Sequence, residues 1–459
     1  MKYNEILEGK HCLHFIGAGG SGILPLIQIL AREGYSITGS DNNPGDNLEA
    51  ARAAGAKIFI GHHADNIRNA DLIVYSAAIM EDNPELIAAK QSGIPLLERG
   101  EFLGALSGRY KNTICIAGTH GKTTVTAMIT QIMLDAGADP TAVIGGRLES
   151  IGGNGRAGKS GIMVCEACEF ADTFLKLYPD ISVILNIDED HLEYFKTLDN
   201  LIASFRRFCK KTSEFLIING DDPNVARAAG GLDKKLITFG TNENNDYYTA
   251  DIRKNNKVET TFALMERGKK LTDITICIPG KHNIGNAAAA CVCALRCGLS
   301  LEKIKASIQN FTGAARRFEI LGKINGVTIA DDYAHHPLEV QVTLNAAKEL
   351  GYGRVIAVHQ PFTFSRTATL LNDFAAALSI ADAVALTPIM GSREKNTYGI
   401  QSADLAAKIE GCRCFETFGQ AGEYALDIAK PGDLIITLGC GDIYKAAKLM
   451  LTNNPEQSY

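Results

Sequence analysis

At 459 residues the chain is longer than one hydrophobic core organises, so two or three domains are expected, with three as the starting expectation. Hydrophobic residues at 46% and charged residues at 21% exclude a disordered chain, and a net charge of −6 with scattered Lys and Arg gives no basic stripe, so nucleic acid is not an expected partner. No stretch approaches the roughly 18–20 apolar residues of a bilayer span, the acidic Met1–Lys10 does not read as a signal peptide, and the 12 cysteines sit singly in apolar runs, which together predict a reducing, cytoplasmic location without membrane insertion.

In chain order, the apolar run His11–Gly17 ends in glycines, and Ser21–Gly34 carries Ile23, Leu26, Ile27 and Leu30 at helical spacing, predicting strand, turn and helix. The cycle repeats as strand Ser36–Asp41, helix Asp46–Gly55, strand Asp71–Ser76 and helix Asn83–Gly93, the last with Asn83 as cap, Pro84 at its first position and Gly93 at its end. Such alternation predicts a parallel sheet covered by helices. The polar stretch Ser107–Asn112 marks a boundary. Beyond it Thr113–Ala117, Gly161–Glu166 and Ile181–Ile187 read as strands and Ile237–Pro279 as antiparallel strands, while the glycine-dense Gly145–Gly161 reads as a mobile loop. The pattern resets near Asn310–Arg317, and Gly326–Tyr333, Val355–Gln360, Ala381–Pro388, Cys412–Phe418 and Leu434–Gly439 follow as strands separated by helical segments.

Gly118-Thr119-His120-Gly121-Lys122-Thr123-Thr124 lies between a buried strand and a helix, so backbone N–H groups and a helix N-terminus converge on one anion site. Lys122 would reach outer phosphates and the Thr123 hydroxyl would ligate Mg²⁺, although the loop is two residues shorter than the usual phosphate-loop spacing. The competing reading is an ordinary glycine-rich turn. Glu166 and His191 each fall just past the carboxyl end of a strand, the edge where open α/β sheets hold ligands; a carboxylate there suits Mg²⁺, and an imidazole suits a second metal or substrate oxygens. Taken singly, either residue reads first as a surface or capping group. Asn283 and Asn286 share a helix face at the start of His282–Gly298, with capping by Asn283 as the plainer reading. Arg316 and Arg317 open the third domain, where a guanidinium swings onto a transferring phosphate or is simply solvated.

The first domain carries Gly17-x-Gly19-x-x-Gly22 with Asp41 ending the next strand, which matches the dinucleotide fingerprint. An NAD-linked oxidoreductase therefore stays open beside a UDP-sugar site, because a helix terminus reads phosphate and not nicotinamide. A nucleotide-binding regulator without chemistry is a further alternative. Cys165 and Cys168 have redox-motif spacing but occupy a strand end beside Glu166, and Cys291, Cys293 and Cys297 read as packing residues of an alanine-rich helix.

Taken in this order, Gly118–Thr124, Asn186-Ile-Asp-Glu-Asp-His191, His282-Asn-Ile-Gly-Asn286, Ala315-Arg-Arg-Phe318, Asp331-Asp-Tyr-Ala-His-His-Pro337 and Gly439-x-Gly-Asp442 closely resemble the Mur ligases of peptidoglycan synthesis, over nearly the whole chain. The run Asp331–Pro337 and the opening Ile16–Gly22 look like the alanine-adding branch. The resemblance implies an α/β protein of three domains: a Rossmann-like domain over 1–108 for the UDP-sugar, a central P-loop ATPase-like mixed sheet over 109–314, and a C-terminal Rossmann-like α/β domain over 315–459 for the amino acid. It implies ATP-dependent ligation of L-alanine to the lactyl carboxylate of UDP-N-acetylmuramate through an acyl phosphate, by a monomer or weak homodimer. A ligase that reattaches a recovered peptide to the same sugar nucleotide is the nearest alternative. Residue by residue, Gly17, Gly19, Gly20, Ser21, Gly22, Asp41 and Ser76 would hold the sugar nucleotide. ATP would lie on Gly118, Thr119, His120, Gly121, Lys122, Thr123 and Thr124 with Asn283, Asn286, Arg317 and Asp332. Magnesium would lie on Thr123, Glu166 and His191, the amino acid by His335 and Arg366, and Lys122, His191 and Arg317 would act in catalysis. Two positions depart from the family: Phe362 stands where a His commonly follows Gln-Pro, and Cys168 stands where many relatives have Asp.

Overall fold

The structure, a computed structural model, describes residues 3–392 and 394–453. Its strands form three sheets among the described residues. The first is parallel, in the order β3-β2-β1-β4-β5, from β1 (Cys12–Ile16), β2 (Ser36–Asp41), β3 (Lys57–Ile60), β4 (Leu72–Tyr75) and β5 (Leu96–Glu98). The second is mixed, in the order β15-β14-β13-β12-β11-β10-β6-β9-β7-β8. Its strands are β6 (Asn112–Ala117), β7 (Thr141–Leu148), β8 (Gly153–Arg156), β9 (Ile162–Glu166), β10 (Ile181–Ile184), β11 (Phe215–Asn219), β12 (Lys235–Gly240), β13 (Tyr247–Lys254), β14 (Thr260–Glu266) and β15 (Lys269–Ile276). The third runs β16-β17-β21-β18-β19-β20, from β16 (Glu319–Ile324), β17 (Val327–Asp332), β18 (Val355–His359), β19 (Ala383–Leu386), β20 (Arg413–Cys414) and β21 (Leu434–Leu438). The chain is α/β throughout, as the alternating apolar runs require: β6, β10, β18 and β21 are buried along nearly their whole length, so helices must cover both faces.

The fold divides into two compact units. One holds the chain up to Arg253 with Thr260–Ile276 and Ile284–Thr312; the other holds Lys254–Glu259, Cys277–Asn283 and the chain from Gly313. Within the first unit, the helix Leu24–Arg32 of the N-terminal sheet lies on β8 of the mixed sheet. The Gln28 side-chain carbonyl accepts from the N–H groups of Asn154 (3.0 Å) and Gly155 (2.8 Å), satisfying the edge of β8. This corrects the expectation of a mobile loop over Gly145–Gly161, most of which is the β7–β8 hairpin. The glycines there serve close approach: a Cβ on Gly155 would sit 2.3 Å from the Pro25 carbonyl oxygen, and one on Gly158 would sit 2.3 Å from that of Asp139.

Other boundaries shift for local reasons. Antiparallel pairing within Ile237–Pro279 joins β14 to β15, whereas β12 and β13 pair in parallel. Of Cys412–Phe418 only Arg413–Cys414 is strand, and Phe418 opens the helix Phe418–Ile428 behind the Thr417 cap. The strands β3, β5 and β16 escape the sequence reading because each is short or half-exposed and carries no clear period.

Under the first sheet, Glu85 is fully buried and receives N–H bonds from His14 Nε2 (3.0 Å) and His62 Nδ1 (2.8 Å), with Ser40 Oγ also donating. Burial alone would raise its pKa, but these three donors outweigh burial and hold the carboxyl at about 2. A depressed carboxyl contributes stability that is complete above the usual glutamate range and is lost as pH falls toward 2, here about 3 kcal/mol. The acid branch of unfolding, followed by circular dichroism from pH 5 to 2, should therefore be shallower in Glu85→Gln than in the wild type; identical slopes would show that the carboxylate is not held in this way.

Candidate active site

The chain leaves β6 at the point where successive strands switch sides, with β9 on one flank and β10 on the other, so a crevice opens at its carboxyl end. Gly118–Gly121 turns there into the helix Lys122–Asp135. Two glycines are obligatory: Gly118 has φ 148° and Gly121 has φ 85°, and a Cβ on Gly121 would lie 2.6 Å from Asn286 Oδ1. Asn186, just past β10, locks the turn by accepting from His120 N–H (2.7 Å) and donating to the His120 carbonyl (3.1 Å). Thr119 Oγ1 accepts from Asp188 N–H at 2.9 Å on the same side. The amides of Gly121, Lys122 and Thr124 have no acceptor among the described residues, and they form the N-terminal end of the helix.

Lys122 folds back over this turn. Its ammonium donates to the carbonyls of Gly118 and Thr119 (2.9 Å to the latter) and pairs with Glu169, 3.1 Å to Oε1 and 3.0 Å to Oε2. Burial would lower its pKa, but Glu169 first, then Cys168 and Glu166, hold the ammonium above its ordinary value, so it is charged at any physiological pH. Glu166, ending β9, accepts from Thr123 Oγ1 at 2.9 Å and from Gly145 N–H at 2.8 Å. The loop, Thr123, Glu166 and Asn286 thus lie together in the structure. His191 sits past β10 at φ 54°, its Nε2 3.6 Å from Asp190 and its ring 4.8 Å from that of Phe170. Asn283 lies one turn earlier than Asn286 on the helix His282–Arg296 and donates to the Pro279 carbonyl at 2.6 Å, a bond to the segment before the helix.

Sequence reasoning missed Glu169. It is 1% exposed and ion-paired to the loop lysine, but a second acid in Glu166-Ala-Cys-Glu169 carries no spacing rule of its own. Asn186 was present within a quoted motif, and only its bonds to His120 reveal its task. Cys168 is no redox partner: burial and the Glu169 charge push its thiol up to about 11, and all 12 cysteines are free.

The N-terminal glycine turn has a different electrostatic character. Gly17 and Ala18 donate to the Ser40 carbonyl at 2.9 Å, and Gly19 N–H is taken by the Asp41 carboxylate at 2.9 Å, while a Cβ on Gly17 would stand 3.0 Å from Ser76 Cβ. Gly20 bonds back to the Gly17 carbonyl, and Ser21 and Gly22 complete the turn.

Arg317, Asp332, His335 and Arg366 belong to the second unit. Asp332, ending β17, accepts from Phe318 N–H and Ala334 N–H, both at 2.7 Å; burial pushes its pKa up to about 6, opposed by the Arg317 charge and these two bonds. The Arg317 guanidinium lies 5.1 Å from the Tyr333 ring centre. Arg316 is structural: it pairs with buried Asp331 at 2.8 Å and donates to the carbonyls of Gly439 and Gly441, tying the Gly439–Asp442 turn to β17. His335 Nδ1 lies 3.1 Å from the Tyr333 carbonyl and 3.2 Å from Glu339, and the Phe362 ring meets the His335 ring edge-on at 6.3 Å. The Arg366 charge bears on the half-buried Cys440 thiol.

Comparison with known proteins places these features in one family. The Mur ligase family catalytic domain matches residues 13–111, the Mur ligase middle domain 116–294, and the Mur ligase glutamate ligase domain 316–441. The UDP-N-acetylmuramate–L-alanine ligase of Caldanaerobacter subterraneus subsp. tengcongensis is 44% identical over 454 residues, 98% of this chain and 99% of that protein. The ligase of the same name from Clostridium novyi is 41% identical over 457 residues, 98% and 99% of the two chains. Among solved structures, UDP-N-acetylmuramate-alanine ligase MurC of Thermotoga maritima superposes with a TM-score of 0.83 at 25% identity, covering 96% of this chain and 98% of that one. A MurF ligase of Thermotoga maritima in complex with ADP shares the fold, with a TM-score of 0.62 at 15% identity over 92% of this chain and 95% of its own. The chain belongs to the Mur ligase family. It is therefore a ligase, which closes the oxidoreductase reading of the glycine fingerprint. No described helix is long and apolar enough to cross a membrane.

The Lys122–Glu169 pair gives a direct test of the loop. Lys122→Met and Glu169→Gln should each destabilise the protein in urea, since each strands a buried charge. The double variant should lose less than the sum, with a coupling of about 1–3 kcal/mol; strictly additive losses would show the two groups to be independent.

Proposed function

We propose that this ligase joins L-alanine to the lactyl carboxylate of UDP-N-acetylmuramate in the cytoplasm, consuming ATP, with residues 1–108 receiving the sugar nucleotide, 109–314 the ATP and 315–459 the amino acid. What carries the reading is the charged turn itself: three amides without acceptors among the described residues and one ammonium at a strand end, in a chain matched over 98% of its length by an alanine ligase. A carboxylate is a poor electrophile, and an amino acid is mostly protonated at neutral pH, so condensation needs an activated acyl group. The lactyl carboxylate oxygen attacks the γ-phosphorus and ADP leaves; the alanine amine then attacks the acyl carbon, loses a proton, and phosphate departs.

The first step brings two anions together, and the chain's task there is to offset their repulsion. The amides of Gly121, Lys122 and Thr124 bind phosphate oxygens, and Lys122 turns from Glu169 toward the outer phosphates. Arg317 and Asp332 are assigned to ATP, Asn283 and Asn286 to its nucleotide, and His335 with Arg366 to the amino acid. Thr123 Oγ1 and Glu166 Oε2, 2.9 Å apart, with His191 at the same sheet edge, fit magnesium, which keeps most of its shell for water and phosphate. Magnesium there would neutralise phosphate charge. Phe362 in place of a His leaves the approach to His335 apolar on one side, which suits a methyl side chain.

The test is phosphate release with ATP, Mg²⁺ and UDP-N-acetylmuramate across single amino acids and short peptides. L-alanine should give the highest kcat/KM; release with a tripeptide and with no single amino acid would replace this reading with peptide reattachment. Lys122→Ala should still bind the sugar nucleotide while forming no ADP, and wild-type turnover in that variant would refute the role given to the loop.

A further inference from the structure

The N-terminal glycine turn contains too little positive charge for the ligand proposed for it. Of its amides, those of Gly17 and Ala18 are spent on Ser40, that of Gly20 on Gly17, and those of Ile23 and Leu24 on Gly20. Gly19 N–H is spent on Asp41, whose carboxylate adds a negative charge to the turn. Only Ser21 and Gly22 keep amides without an acceptor among the described residues. Two amides beside a carboxylate are a weak seat for a diphosphate.

Arg99 corrects this balance. It is the first residue of the helix Arg99–Ser107, half-buried, and its guanidinium lies over Gly22: a Cβ built there would stand 3.3 Å from Arg99 Nε and 3.4 Å from Cζ. Gly22 has no positive φ, and the nearest atoms a Cβ there would meet all belong to the Arg99 side chain, in close contact. The carboxylates next to Arg99 in sequence are engaged elsewhere. Glu98 accepts from Gly100 N–H (2.9 Å) and pairs with Lys176 (2.6 Å), while Glu101 accepts from Glu98 N–H at 3.2 Å. The Arg99 guanidinium has no hydrogen bond or ion pair with any described residue. Its charge also bears weakly on the Cys168 thiol of the same unit.

We propose that Arg99 is the side chain that grips the diphosphate of the sugar nucleotide, its planar fork spanning phosphate oxygens while the Ser21 and Gly22 amides donate from the turn below. The assignment rests on the sugar-nucleotide reading above. It makes the first domain select a nucleoside diphosphate over a monophosphate by a side chain outside the glycine fingerprint, since a guanidinium fork matches phosphate oxygens in pairs.

Calorimetric titration of UDP-N-acetylmuramate and of UMP into the purified full chain tests this. Wild type should bind the sugar nucleotide more tightly than UMP, and Arg99→Met should weaken the former by about 10- to 100-fold while leaving UMP affinity unchanged. Arg99→Lys, which keeps the charge and loses the fork, should fall between them and covers the case in which the Met variant folds poorly. A merely structural role would weaken both ligands alike and lower the thermal midpoint. An unchanged ratio of the two affinities in Arg99→Met and Arg99→Lys overturns the assignment while leaving the substrate reading intact. A wild type that binds neither ligand overturns both.

Discussion

A buried ammonium at the rim of the central sheet governs the rest of the site. Lys122 cannot sit in that position without compensation, because burial strips its hydration, and the surrounding chain supplies it in the form of two loop carbonyls and the Glu169 carboxylate. Those partners in turn fix the neighbourhood. Glu169 must be held 1% exposed behind β9, Gly118 and Gly121 must take up positive φ, and Asn186 must reach across from β10 to clamp His120. An anionic ligand at the turn could take over from Glu169 as the counter-charge of Lys122, as the proposed ATP site requires.

The two glycine turns of the first unit show how one local motif serves different electrostatic ends. Both follow a buried parallel strand at a switch point, and both open a helix. In the central turn three amides have no acceptor among the described residues and an ammonium folds back over the turn; in the N-terminal turn most amides are consumed and Asp41 adds a carboxylate. A glycine fingerprint therefore specifies backbone shape, while the ligand's charge is decided by side chains from neighbouring elements. The hairpin β7–β8 joins these parts mechanically: Gln28 and the contact of Gly155 with Pro25 pack the helix that follows the N-terminal turn against the edge of the mixed sheet.

Much of this was legible in the sequence, and the limits have physical causes. Strands buried on both faces, such as β6, β10 and β21, read as unbroken apolar runs, and the phosphate loop follows from glycine and lysine spacing after such a run. The β7–β8 hairpin was hidden because glycine demanded by close contact looks the same in sequence as glycine in a free loop. Two-residue β20 and the parallel step from β12 to β13 depend on tertiary pairing that no local pattern encodes. Glu169 was missed for a related reason: its significance lies in a contact across 47 positions, whereas Glu166 at a strand end could be found from its place in the fold.

The central claim is that the turn Gly118–Thr124 is a charged cradle for a triphosphate. Its most direct test is calorimetric titration of wild-type protein with ATP, with and without Mg²⁺. The account predicts uptake at one site per chain that tightens when magnesium is present; absence of binding at millimolar nucleotide under both conditions would contradict it.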